Sequence, residues 1–116
     1  MYTYRCELVR IIDGDTVVFN VDLGFGIWLK KEHVRFARIN APETRTKDLK
    51  EKRRGMAAAN FVSKHLYDAC EIKLTTFKSN GKFGRYIADV HIKYMDKWYC
   101  LNDLIVKEHH GVYKEY

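Results

Sequence analysis

Residues Thr16 to Asp22 alternate and are rich in β-branched side chains, the pattern of a strand. Tyr2 to Val9 is mixed but compatible with a strand, and Asp13-Gly14 marks a turn between the two runs. Gly24 and Gly26 break the chain again. A third strand is predicted from about Trp28 through Ile39, stopping before Pro42, the one proline. Strict alternation along it puts Arg35, Ala37 and Ile39 on one face and Val34, Phe36 and Arg38 on the other.

The period then changes. A charge-dense segment, Asp48 to Arg54, leads into Gly55, after which Ala58, Val62, Leu66 and Ala69 form the stripe of an amphipathic helix. Glu71 to Phe77 reads as a strand, Ser79-Asn80-Gly81 as a turn, and Tyr86 to Lys93 as another strand. Met95-Asp96 predicts a hairpin turn into Lys97 to Cys100. Leu101, Leu104 and Ile105 predict a short helix with Asn102 near its N-cap and Gly111 just past its end. Three strands, a helix, two or three strands and a helix suit a small closed barrel better than a parallel sheet. The early strands follow one another too closely for βαβ crossovers.

A chain of 116 residues has room for one core, so residues 1–116 are expected to form one domain. An apolar fraction of 47%, with 8 Tyr, 6 Phe and 2 Trp, is enough to fold it. Cys6, Cys70 and Cys100 are odd in number and widely spaced, which argues against a disulfide framework or a zinc site. No apolar run is long enough to cross a bilayer, and no partner membrane is expected. The start of the chain has no signal-like apolar stretch, so a cytoplasmic location is expected, or secretion if a signal was trimmed. Lys and Arg outnumber Asp and Glu by 21 to 15, a net charge of +6 that favours a polyanionic partner.

Three clusters are candidates for chemistry. Ile12-Asp13-Gly14-Asp15-Thr16-Val17 sets two carboxylates around a glycine, which a plain Asx turn explains as well as a site does. In Val34-Arg35-Phe36-Ala37-Arg38-Ile39-Asn40-Ala41-Pro42-Glu43-Thr44, proline keeps Ala41 out of the α region, so that its carbonyl can face outward. That carbonyl beside Asn40 and Glu43 makes an oxygen-rich corner suited to a hard cation such as Ca²⁺, although an ordinary strand end would look the same. In Asn80-Gly81-Lys82-Phe83-Gly84-Arg85-Tyr86, Gly84 has the freedom to aim Arg85 into a cleft. Lys82 and Phe83 add a cation and a ring for phosphate and base; a basic hairpin loop is the plainer reading.

Taken together and in this order, the clusters resemble the thermonuclease (staphylococcal nuclease) family: a D-G-D-T strand entrance, an R…(D/N)-x-P-E strand exit and a Y/F-G-R-x-x-A hairpin, over about Val9 to Val106. The resemblance implies a five-stranded OB-fold barrel with two or three α-helices. It implies a calcium-dependent phosphodiesterase acting on DNA and/or RNA, preferably single-stranded, and leaving 3′-phosphate and 5′-hydroxyl ends. Asp15 and Asn40 would be Ca²⁺ ligands, with the Ala41 backbone carbonyl. Glu43 would be the general base, and Arg35 and Arg85 would clamp the scissile phosphate. Lys82, Phe83, Tyr113 and Tyr116 would contact nucleic acid.

The chain departs from the family pattern at particular positions. Asn40 stands where the best-known members carry Asp, which removes a negative charge and predicts weaker calcium binding. Phe83 keeps a ring but lacks the hydroxyl of a frequent tyrosine, and Met56 breaks the usual start of the first helix. Arg38 is expected to face away from Arg35. His109-His110 suits a helix C-terminus rather than a metal. A monomer is expected, because the motifs describe a site complete within one chain. The alternative is an OB-fold module that holds single-stranded nucleic acid without cutting it, but such modules usually lose the acidic or arginine positions that this chain keeps.

Overall fold

The computed structural model describes residues 2–77 and 86–114. In chain order its elements are β1 (Tyr2–Asp13), β2 (Thr16–Asp22), β3 (Trp28–Phe36), β4 (Ile39–Asn40), α1 (Leu49–Asp68), β5 (Glu71–Thr76), β6 (Tyr86–Tyr94), β7 (Lys97–Cys100), α2 (Leu101–Lys107) and β8 (Val112–Tyr113).

β1 lies between β2 and β5, antiparallel to both, and β2–β3 and β5–β6 are antiparallel as well. The barrel closes where β6 runs parallel to β3, through Val34↔Tyr86, Arg35↔Ile87 and Phe36↔Ala88. A parallel pair needs a long crossover, and α1 lies on the stretch of chain that supplies it. Five strands thus form a closed barrel of mixed pairing, and β7 extends it from β6. Val17, Phe19, Val34, Phe36, Leu74, Val90 and Ile92 meet in the core. Val62 and Leu66 of α1, and Leu101 and Ile105 of α2, join the same cluster. Each such side chain contributes about 1.5–3 kcal/mol by leaving water. The helical stripe expected on α1 is the face it buries: Ala58, Val62 and Leu66 are buried.

The structure departs from the sequence pattern at several points. The third strand does not run on to Ile39. It stops at Phe36, and Arg38 takes a left-handed conformation (φ 65°). That turn resets the alternation, so Ile39 enters the core with Val34 and Phe36 instead of sharing a face with Arg35. Ile39 and Asn40 then pair with Val112 and Tyr113 in a small second sheet.

Helix α1 begins earlier than its apolar stripe, at Leu49. Asp48 caps it by accepting from the Lys50 and Glu51 N–H groups at 3.0 and 3.4 Å. Its first turns face water, with Leu49 exposed, so no apolar period marks them. Asn102 is no N-cap: Cys100 holds that position without a side-chain bond, and Asn102 is fully buried.

Candidate functional site

The β1–β2 connection is the two-residue turn Gly14–Asp15, flanked by the Asp13↔Thr16 pair. Gly14 is required here for close approach: an added Cβ would lie 2.7 Å from Ala58 Cβ on α1 and 3.2 Å from Ala41 Cβ. The Asp15 carbonyl accepts from the Phe36 N–H at 2.8 Å, which fastens the turn to the end of β3. Val34 and Phe36 point into the barrel, so Arg35, opposite Thr16, points out beside this turn.

Asp15, Arg35, Asn40 and Ala41 converge there. The Asp15 carboxylate is buried and accepts from the Ala41 N–H at 2.8 Å through Oδ2 and from Thr16 Oγ1 at 3.1 Å through Oδ1. Arg35 Nη2 lies 3.3 Å from Asp15 Oδ2 and donates to Asn40 Oδ1 at 3.1 Å. Its Nη1 donates to the Phe36 carbonyl at 3.0 Å. This pair is little exposed, so removing one partner alone strands the other charge, which costs about 3–5 kcal/mol. The oxygens of Asp15 and Asn40 therefore face one point, now spanned by a guanidinium nitrogen.

Glu43 is exposed on the next stretch of chain. The Asn40–Glu43 segment lines a cavity of about 550 Å³ with Glu51 and Arg54 of α1 and the turn after α2, where His109 and His110 lie. Two contacts fix the segment. Thr44 donates to Asp13 Oδ1 from its N–H at 2.9 Å and from Oγ1 at 2.7 Å, which ties it to the base of the Gly14–Asp15 turn. The Glu43 backbone also rests on α1 at Gly55, where an added Cβ would lie 2.2 Å from the Glu43 carbonyl oxygen. The two carboxylates of the first motif thus have different roles: Asp13 is a brace, and Asp15 sits in the corner. Gly55→Ala is expected to push the Glu43 backbone away and to destabilise the fold by about 1–3 kcal/mol, as overpacking does. Urea denaturation beside a turnover assay checks it; unchanged values in both would show that α1 can move aside freely.

Arg38 faces away from Arg35, as expected, but it is its own left-handed turn that swings it outward, since Val34 and Phe36, with which alternation grouped it, lie in the core. It pairs with Asp89 at 3.2 Å and with Asp103 at 3.3 Å. Tyr113, opposite Ile39 on β8, donates its hydroxyl to Asp103 Oδ1 at 2.9 Å. Partial desolvation opposes ionisation of Asp103, but the Tyr113 hydroxyl and the Arg38 charge hold its carboxyl below the usual range. The same bond raises the Tyr113 phenol. Tyr113 thus belongs to this cluster of charges. Lys82, Phe83, Arg85 and Tyr116 lie outside the described residues.

The contacts that sequence reasoning missed are Thr44 on Asp13, Gly55 under Glu43, and Asn102. Asn102 donates to the Ala37 carbonyl at 2.9 Å and accepts from the Val90 N–H at 2.9 Å, so it fixes the bend that follows β3. A glycine amid the charges preceding the apolar stripe was the available signal for Gly55; a buried asparagine in a short helix gave none.

Of the expected donors, the Asp15 carboxylate and the Asn40 amide oxygen face the corner and are oxygen types a hard cation takes, while Ala41 turns its N–H toward Asp15. Among the described residues no three His, Cys, Asp or Glu side chains gather as around a metal, and only Asp15 of this set is of those types. A cation there would rest on neutral oxygens for most of its shell.

A closed five-stranded barrel of mixed pairing with two helices, one of them between its third and fourth strands, makes this an OB-fold protein. Residues 33–115 match the family model of the staphylococcal nuclease homologue, and the chain belongs to that family. No match was found among curated proteins. The matched span includes Arg35, Asn40, Ala41 and Glu43 but begins after Asp15, which β1 and β2 bring to the corner by completing the barrel.

Proposed function

We propose that the protein is a calcium-dependent nuclease that hydrolyses phosphodiester bonds of DNA and/or RNA, preferably single-stranded, leaving 3′-phosphate and 5′-hydroxyl ends. Domains of this family act on nucleic acids and typically cut them. The observation that carries the reading is the convergence of Asp15, Arg35 and Asn40, with Glu43 exposed on the segment that follows.

Asp15, Asn40 and the Ala41 carbonyl would hold Ca²⁺, which when bound supplies Lewis-acid stabilisation and a template for water and phosphate. The chain's own groups do the rest. Glu43, exposed and held by its backbone, accepts the proton of the attacking water. An ordinary carboxylate is a weak base, so its contribution depends on that placement. Arg35, whose Nη1 and Nη2 now bond the Phe36 carbonyl and Asn40 Oδ1, would turn its planar fork from these partners to the phosphate oxygens, where charge builds during attack. Arg85 would supply the second fork, as the resemblance of its motif to the family implies. With the net charge of +6, long-range attraction brings a polyanion to the barrel.

The test is cleavage of single-stranded DNA by purified protein in millimolar CaCl₂ and in EGTA. Cutting that EGTA abolishes supports the reading. Binding without cutting in any divalent metal overturns it in favour of a non-catalytic OB-fold module. Asn40→Asp is expected to lower the calcium concentration for half-maximal activity by about tenfold, the effect of restoring one ligand charge worth roughly 1.4 kcal/mol. An unmoved calcium titration would place residue 40 outside the metal shell.

A further inference from the structure

We infer that the outer face of β5, β6 and β7 is a second contact for nucleic acid, a track for single-stranded chain with Trp98 as its stacking platform. The inference rests on the proposed action on nucleic acid and extends it to where the rest of the strand lies. Ala88, Val90 and Ile92 of β6 point into the core, so Ile87, Asp89, His91 and Lys93 point out. Ile87 is paired with Arg35, so this row begins beside the proposed phosphate clamp. At a rise of roughly 3.3 Å per residue, it reaches Lys93 after about 20 Å.

The far end is built for a base and its phosphates. Lys93 is paired with Trp98 on β7, and the exposed Trp98 ring has Lys73 Nζ 4.8 Å and Lys93 Nζ 5.9 Å from its centre. Two ammonium groups beside one indole combine the stacking surface and the cations that sequence-tolerant single-strand binders use. Between the ends the row offers His91, bonded to Thr75 at 3.0 Å, and Asp89, which shares Arg38 with Asp103 at 3.2 and 3.3 Å. At the β1 edge Arg5 is paired with Glu71 at 2.8 Å, which leaves Lys73 and Lys93 as the charges facing a ligand. Among the described residues that point out from this face, Trp98 is a ring set among polar groups, which suits a nucleic acid strand and not a bilayer. The length fits the roughly 4–16 nucleotides that one OB barrel covers.

The experiment uses fluorescein-labelled oligothymidylates of two and twelve nucleotides in EDTA, with binding read by anisotropy. Trp98→Ala is expected to weaken the dodecamer by about tenfold or more and leave the dinucleotide unchanged, with Trp98→Phe retaining most of the affinity. Lys73→Gln with Lys93→Gln should reduce the slope of log K against log salt by about 1.4, the loss of two single-strand phosphate contacts. As a check free of folding effects, Trp28→Phe leaves Trp98 as the remaining tryptophan. Its fluorescence should be quenched by the dodecamer and not by the dinucleotide. Unchanged dodecamer affinity in Trp98→Ala, or equal loss for both lengths, overturns the track. So does equal quenching by polyglutamate or by phosphatidylserine vesicles, which would mark a general anion surface. Wild-type protein that cuts DNA while Trp98→Ala binds normally overturns only the track. Trp98-dependent binding by a wild type that cuts nothing supports the track and overturns the nuclease.

Discussion

Glu43→Gln is expected to lower the turnover of single-stranded DNA by about 10²–10⁴-fold, the range general-base catalysis supplies. The substitution keeps shape and removes only the ability to take a proton. Little else should change, because what places residue 43 is its backbone, resting on Gly55 and followed by Thr44, which is anchored to Asp13. The exposed side chain has little role in the fold, so stability should move by less than about 0.5 kcal/mol. Oligonucleotide affinity in EDTA should hold or rise slightly, since a negative charge leaves a surface that meets a polyanion. The check is turnover in CaCl₂ beside anisotropy in EDTA. Full turnover would remove Glu43 as the base. Equal losses of turnover and affinity would make it a binding residue.

Which parts of the molecule are legible in its sequence depends on how far along the chain each contact reaches. Strand patterns and the apolar stripe of α1 report one-dimensional periods, and the barrel order follows from them. Asp15, Arg35, Asn40 and Ala41 come from short motifs at strand ends, and the fold brings them into one corner. Contacts between distant backbones leave no such trace. Gly14 and Gly55 matter because α1 presses on the β1–β2 turn and on Glu43, which only the assembled fold reveals. Arg38 hides the end of β3 because a non-glycine residue in a left-handed turn carries no signal, and the phase of the next strand was misread with it. Strict alternation therefore holds as far as Arg35, which lies opposite Val34 and Phe36, and fails at Ile39, which lies in the core.

The residue that holds this bend is the least legible, and its removal should strongly destabilise the fold. Asn102→Leu is expected to destabilise the protein by about 2–6 kcal/mol, from two buried backbone groups left unpaired at about 1–3 kcal/mol each. The groups are the Val90 N–H and the Ala37 carbonyl, which Asn102 now satisfies at 2.9 Å each. The Ala88 carbonyl is not counted, because the Ala37 N–H still donates to it at 2.8 Å. Against a typical total of about 5–15 kcal/mol, such a loss lowers the urea midpoint by about 1 M or more. Leucine has the same branched arrangement of side-chain atoms, so no cavity confounds the comparison, and its bulkier methyl groups can add only an overpacking cost in the same direction. The effect should also reach the site. Ala37 directly precedes the Arg38 turn, and that turn sets where Asn40 meets Arg35. Calcium-dependent turnover measured well below the midpoint should therefore fall while circular dichroism remains native. A lowered midpoint with full turnover would separate the bend from the site. An unmoved midpoint would mean that water replaces the amide, and that this buried asparagine is no keystone of the barrel.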